Sequence, residues 1–417
     1  MQKLEFTPAL RWRGSLGPRP DGMRLSFLSD AVYPFHHGGK ETLHYERSIR
    51  LGRRGHAVRI LTMHWWPKRQ RSMARDGMVF QSVAPRTALY TRNGARSIWE
   101  SLVFGLGSLR LLWSPDFDVL DVDQFPFTPF FAARLVCWLR GRPMTATWHE
   151  VWDRDGWHES VGRLGRLGFL LQRYAAQSAD LIYANSRLTA RRLVEVLGVD
   201  PQRVLVLSPG TTIPSPLAGE GQGGGSKSTD CIFVGRLLAH KHVDVLLRAL
   251  ALAPGVTGLI VGAGPEKDRL IALAGELRIS DRVRFESPTG HESVIDRLRS
   301  ARLLVFPSTR EGFGAAVLEA NACAVPALVV QHPDNAALEL VRDGVTGIIA
   351  NVAPEPMADQ IRAYLADPAL QARMSKAARA NAVTHSWDAY VNKMEAALNS
   401  LLGEIPSPLA GEDRKAA

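Results

Sequence analysis

Short apolar runs, glycine loops and amphipathic stretches succeed one another along most of the chain. Residues 24–29 (RLSFLS) read as a buried strand, and a loop through Pro34 leads to Gly38-Gly39. Residues 40–54 place Leu43, Ile49 and Leu51 among basic positions at helical spacing, with Gly52 and Gly55 at the end. Residues 56–62 form the next strand. A strand, glycine loop, helix and strand in that order need a crossover, which predicts a parallel sheet. Strands at 119–122, 144–148, 181–184 and 204–207, with helices at 162–179 and 187–197, extend the pattern to a doubly wound α/β domain over 23–207.

The pattern then breaks. Residues 208–229 turn to Pro, Gly and Ser, the composition of a linker. Within it the octapeptide IPSPLAGE at 213–220 recurs letter for letter at 405–412. Two copies make no solenoid; a repetitive element read through into linker and tail is the simpler expectation. A second series of strands follows at 231–234, 259–261, 283–285, 303–306, 327–330 and 347–350. Helices alternate with them at 241–252, 266–277, 291–300 and near 335–342. These predict a second α/β domain over 230–385, with helices at 355–365 and 368–383. A closing helix is expected at 386–402, with an unstructured tail at 403–417 and another at 1–22.

Composition adjusts this picture in two respects. Of 417 residues, 46% are apolar and 22% charged, which suits a globular protein too long for one ordinary core. The net charge of +10 is lopsided: residues 1–200 carry 29 Lys and Arg against 18 Asp and Glu, and 201–417 carry 22 against 23. A basic first half favours an anionic surface, and Trp65-Trp66-Pro67-Lys68-Arg69 beside the apolar stretch 97–113 points to a membrane rather than nucleic acid. No signal segment or membrane span is expected, since 98–113 and 125–139 are interrupted by Arg110 and Arg134. Cys137, Cys231 and Cys323 lie far apart without metal-ligand spacing, which predicts buried thiols and a reducing, cytoplasmic compartment; the basic first half adds the expectation of a peripheral place at the inner membrane face.

The densest chemistry lies at 302–326. An apolar strand ends at Pro307-Ser308, Gly312 and Gly314 bracket Phe313, and a helix begins at Ala315. Such a turn presents unpartnered helix N–H groups to an anion. Glu311 and Glu319 beside it supply acceptors for sugar hydroxyls. In the same half, Gly235-Arg236-Leu237 and Lys241 follow a strand end, where a guanidinium fork and an ammonium suit a diphosphate. In the first half, His149 ends a strand between Trp148 and Trp152, indoles placed to stack on a sugar ring. Gly38-Gly39 permit close approach to a phosphate or acceptor. Three lookalikes are set aside. Asp121-Val122-Asp123 belongs to a strand end rather than a metal site. Gly262-Ala263-Gly264 and Gly105-Leu106-Gly107 lack the rest of a dinucleotide fingerprint.

Taken together, GRL with Lys241, VGAGPE at 261–266, PSTREGFG with the Glu311/Glu319 pair and the Ser386-Trp387 helix resemble the retaining family 4 glycosyltransferases. The resemblance covers roughly 23–402. It implies the GT-B fold, two Rossmann-like doubly wound domains facing across a cleft, with the closing helix crossing back to the first. It implies transfer of a sugar from a nucleotide-sugar donor to a glycan or glycolipid acceptor of the cell envelope, with retention and with neither metal nor cofactor. On the matching positions, Arg236 and Lys241 bind the donor diphosphate and Glu311 contacts the sugar. Phe313 and Gly314 offer backbone donors, Glu319 holds the ribose, His149 faces the transferred sugar, and Gly38 and Gly39 lie near phosphate or acceptor.

Four departures stand out: Ala324 and His242 replace glycines, Asn335-Ala336-Ala337 replaces a glycine-rich turn, and SPGTT at 208–212 replaces P-N-G-V-D. A nucleotide-sugar epimerase of similar architecture and a catalytically impaired sugar-nucleotide-binding protein are the competing readings.

Overall fold

A computed structural model describes residues 22–67, 69–91, 96–214, 228–287 and 290–403. The tail at 1–21, Lys68, the stretch 215–227 and residues 404–417, with all of the second octapeptide, lie outside the described residues. The chain forms two compact units, one running to Ser208 and including the last helix, the other from Pro209 to Ser386.

In the first unit, β1 (Arg24–Leu28), α1 (Gly39–Arg53) and β2 (Ala57–Met63) open the chain, followed by β3 (Ser72–Arg75) and β4 (Met78–Ala84). Then come α2 (Ile98–Gly107), a 3₁₀ helix at Ser108–Trp113, β5 (Val119–Asp123), α3 (Pro129–Arg140) and β6 (Met144–Trp148). The unit continues with α4 (Arg154–Val161), α5 (Gly165–Ser178), β7 (Leu181–Ala184), α6 (Arg187–Glu195) and β8 (Val204–Val206). The strands lie in the order β3-β4-β2-β1-β5-β6-β7-β8, parallel except for the antiparallel β3–β4 pair. This hairpin is absent from the elements that the hydrophobic spacing predicts. Its signal is present: Asp76 and Gly77 both adopt positive φ (52° and 75°), the turn that an Asp-Gly pair favours.

Alternation along the strands sends side chains to two cores. Leu28, Leu61, Leu120 and Trp148 pack on one face of the sheet with Phe104 and Phe130. Leu25, Phe27, Val58 and Ile60 pack on the other with Leu43 and Leu51.

The second unit contains β9 (Thr229–Val234), α7 (Val243–Ala251), β10 (Gly258–Val261), α8 (Lys267–Glu276), β11 (Val283–Glu286), α9 (His291–Arg299) and β12 (Ala301–Phe306). It ends with α10 (Ala315–Ala322), β13 (Ala327–Val330), β14 (Gly347–Ala350), α11 (Pro354–Ala366) and α12 (Pro368–Val383). Its sheet is parallel throughout, in the order β11-β10-β9-β12-β13-β14. The helix expected near 335–342 is a 3₁₀ turn at Ala336–Leu340. The last helix, α13 (Trp387–Gly403), returns to the first unit, where Trp387, Tyr390, Met394 and Leu398 join the core around Leu51 and Val58. Glu395 fixes it by accepting from His56 at 2.8 Å and pairing with Arg54.

Candidate functional site

The candidate residues fall into two groups, one in each unit. In the second unit β9 ends at Val234, and the loop through Gly235, Arg236 and Leu237 leads to a 3₁₀ turn ending at Lys241. The loop fits because its neighbour lacks side chains. A Cβ at Gly262 would lie 2.1 Å from the Gly235 carbonyl oxygen, and one at Gly264 would lie 2.3 Å from that of Leu237. The Gly262-Ala263-Gly264 stretch therefore serves close loop packing. Leu237 N–H donates to the Ala263 carbonyl at 2.9 Å.

The loop after β12 joins the same cluster. Thr309 N–H and its hydroxyl both donate to the His240 carbonyl, at 3.0 and 3.3 Å. This brings Lys241 onto Glu311 as an ion pair, with side chains 13% and 12% exposed. The Lys241 ammonium also lies 5.2 Å from the centre of the Phe306 ring. Backbone bonds hold Glu311 from both sides: its N–H donates to Asp334 and its carbonyl accepts from Ala336, each at 3.0 Å. His240 reports the local potential. Burial, then the charges of Lys241, Arg310, His242 and Arg236, push its pKa down to about 4. Such concentrated positive charge favours an anion. Arg310 is the residue that the motif reading misses here.

Phe313 is buried, and Gly314 caps α10 at φ 91°, where a Cβ would meet that of Ala337 at 2.6 Å. The first N–H groups of α10 have no intrahelical partner, so this end is an acceptor-seeking surface. Glu319 sits on the second turn of α10 with His291 Nδ1 at 3.9 Å, and burial pushes its carboxyl up to about 7. Two of the departures share a backbone cause. His242 and Ala324 both adopt left-handed backbone, φ 47° and 57°, where glycine alone escapes a Cβ clash.

In the first unit, Gly38 and Gly39 start α1 and are exposed, and a Cβ at Gly38 would strike Glu41 Oε2 at 2.4 Å. The next residue, Lys40, bridges two buried carboxylates, Asp30 at 2.5 Å and Asp123 at 2.7 Å. The other Asp123 oxygen receives His149 Nε2 at 2.7 Å and His44 Nε2 at 3.0 Å. His149 follows β6, its backbone N–H donating to Gln124 and its carbonyl accepting from Thr189.

Asp123 thus organises the group, whereas Asp121 is tied by Arg47, Thr145 and Thr147 inside the sheet. His44, Asp123 and His149 lie close enough for a metal ion, but their donors are already committed. Arg47, which can only donate, lies 2.7 Å from His44 Nδ1. The His44 proton therefore sits on Nε2 facing Asp123, leaving no lone pair there for a metal. Burial, then Arg47, hold the His44 pKa down at about 4, so the ring is neutral.

Of the flanking tryptophans, Trp148 is closed to a sugar, whereas Trp152 is half-buried. Trp148 is fully buried against Phe127 and Phe130, and Trp152 packs on Trp157. The pair near the expected basic patch also faces inward: Trp66 is 4% exposed, and Trp65 Nε1 donates to the Asp30 carbonyl at 2.8 Å.

The profile of Glycosyltransferase Family 4 matches residues 37–213 and that of Glycosyl transferases group 1 matches 222–381. A D-inositol 3-phosphate glycosyltransferase of Mycolicibacterium paratuberculosis is 33% identical over 404 residues, covering 90% of this chain and 88% of that protein. The protein of that name in Mycobacterium tuberculosis H37Ra is 32% identical over 447 residues, covering 95% and 88%. Among solved structures, sucrose-phosphate synthase from Thermosynechococcus elongatus superposes with a TM-score of 0.77 at 18% identity, over 91% of this chain and 99% of that one. Anabaena HepE, with UDP and glucose bound, gives 0.70 at 19% identity, over 91% and 100%. The chain belongs to the group 1, family 4 glycosyltransferases and has their GT-B fold.

Proposed function

We propose that the protein transfers a sugar from a nucleotide-diphosphate donor to a phosphorylated polyol or glycolipid acceptor of the cell envelope, retaining the anomeric configuration. The observation that carries this reading is the cationic cluster around the Lys241–Glu311 pair, where burial first and then the neighbouring cations push the His240 pKa down to about 4. Arg236 and Lys241, with Arg310 near, neutralise the diphosphate and the charge that grows on it as the glycosidic bond breaks. Lys241 then exchanges Glu311 for phosphate oxygens, and the released carboxylate accepts from a sugar hydroxyl. The amides of Phe313 and Gly314 supply further donors to the donor sugar, and Glu319 accepts from the ribose hydroxyls. His149, oriented by Asp123, offers its other ring nitrogen or its carbonyl edge to the transferred sugar, and Gly38-Gly39 admit a phosphate or acceptor group. With cations of the chain already at the leaving group, no metal is needed.

The acceptor class is suggested by relatives named for D-inositol 3-phosphate. The three cysteines are buried and form no disulfide with one another, which suits the reducing cytoplasmic side of a membrane.

The test is incubation with a panel of nucleotide sugars and inositol phosphates in EDTA, with the product read by NMR. Expected is an acceptor-dependent glycoside with the donor's anomeric configuration. An inverted product, a strict metal requirement, or donor isomerisation without acceptor contradicts the reading.

A further inference from the structure

We propose that the outer face of α2, the 3₁₀ helix after it, α3 and α5 docks on an anionic lipid bilayer. Each of these helices sends one apolar row into the core, with Phe104, Leu111, Phe130 and Phe169 buried. Each also carries a second apolar row that no described residue covers. Trp113 is 80% exposed, Leu106 71%, Trp99 67% and Trp138 65%, with Leu139 and Leu167 beyond half. The second unit, by contrast, exposes only Leu252, Ile271, Val345 and Val383 among the described large apolar side chains.

The helices form one continuous surface. Ser101 and Thr128 hydroxyls meet at 3.1 Å between α2 and the start of α3. Arg140 of α3 donates to the carbonyls of Leu111 and Leu112 at 3.0 and 3.1 Å. Phe131 of α3 stacks on Tyr174 of α5 with centroids 4.3 Å apart. A soluble surface rarely tolerates so extended an apolar patch without a partner.

Charge selects the partner. Arg110, Arg163, Arg166 and Arg173 are exposed on these helices and the turn before α5, while Glu100, their single carboxylate, is buried. Exposed acids close by in the chain are Asp116, which pairs with Arg24 and Arg142 at 2.9 Å each, and Asp153, Asp155 and Glu159 at and within α4. Indoles at headgroup depth, leucines below them and arginines extending to phosphates are the arrangement of an in-plane membrane face. No described helix is long and apolar enough to cross the membrane. This moves the expected membrane contact from the pair of buried Trp66 and half-buried Trp65 to this helical face. The inference deepens the proposed function by naming where a lipid-borne acceptor is met. Vesicle binding needs neither donor nor turnover, so its failure leaves the transfer reaction standing.

The test is flotation of the full chain with vesicles of phosphatidylcholine alone or mixed with phosphatidylglycerol, at low and high salt. Two variants are compared, Trp99→Glu/Leu106→Glu/Trp138→Glu and Arg163→Gln/Arg166→Gln/Arg173→Gln. All six positions are exposed, so the thermal midpoint and donor hydrolysis in solution stay at the wild-type level. Expected are binding to anionic vesicles only, weakened by salt, and at least about a tenfold loss of partition in each variant. Absence of binding, or equal binding by wild type and variants, overturns the proposal. So does a concentration-dependent oligomer that the glutamate variant breaks while vesicles bind neither form; the face is then an interface between copies.

Discussion

Lys241 and Glu311 are ion-paired across seventy positions of the chain, and each side chain keeps only about an eighth of its surface exposed. The pair joins the loop after β9 to the loop after β12, so its loss affects stability as well as chemistry. Lys241→Ala leaves a largely buried carboxylate unpartnered and costs roughly 1–3 kcal/mol. Glu311→Gln added to it recovers part of that loss. Denaturant unfolding of both single variants and the double variant checks this, and strictly additive losses would sink it.

If Glu319 accepts from the ribose as proposed, donor binding should depend on pH. Its pKa, about 7 in the fold, lies above the ordinary value near 4.5, so the folded state holds a proton that the unfolded chain releases between those values. Stability from this group falls as pH rises through that window. Nucleotide affinity moves the other way, because ribose hydroxyls donate to the carboxylate. Calorimetry with the nucleoside diphosphate should show wild-type affinity rising from pH 6 to pH 8. In Glu319→Gln it should be weaker and flat.

In the proposed reaction Asp123 acts as a positioning residue. It fixes the His149 ring at 2.7 Å and shares its other oxygen with Lys40. Asp123→Asn should lower kcat by about 10²-fold or more, with a smaller change in KM. His149→Ala added to it should cost little further. The thermal midpoint should also fall, because Lys40 keeps one carboxylate, Asp30, of the two it bridges. Additive losses in kcat would separate Asp123 from the action of His149.

The two left-handed departures give opposite expectations. Ala324 at φ 57° pays for a strained Cβ, and Ala324→Gly should raise stability by about 0.5–1 kcal/mol. His242 has the same strain, but its ring meets the Thr309 hydroxyl at 3.1 Å. His242→Gly relieves one and loses the other, so its net change should be near zero. Chemical denaturation distinguishes the two.

Much of this was legible in the chain because short parallel strands buried on both faces announce themselves as apolar runs between glycine turns. The 302–326 stretch is the clearest case: β12, the Gly312–Gly314 turn and α10 follow as the spacing predicts. What stayed hidden was set by contacts distant in sequence. The β3–β4 hairpin is short and carries Arg, Ser and Gln among its apolar positions, so only Asp76-Gly77 marked it. The role of Asp123 depends on Lys40, His44 and His149, none near it in the chain. Spacing does not distinguish an indole in the core, such as Trp66 or Trp148, from one facing solvent, such as Trp113.

The most direct measurement is the binding of nucleotide-diphosphate sugars to the purified chain, followed calorimetrically alongside donor hydrolysis, in wild type and in Arg236→Ala and Lys241→Ala. The account predicts saturable binding of at least one donor in EDTA. Each substitution should weaken it, and hydrolysis should drop by about 10²-fold or more. Full binding and turnover in both variants would contradict a donor site built on the loops after β9 and β12.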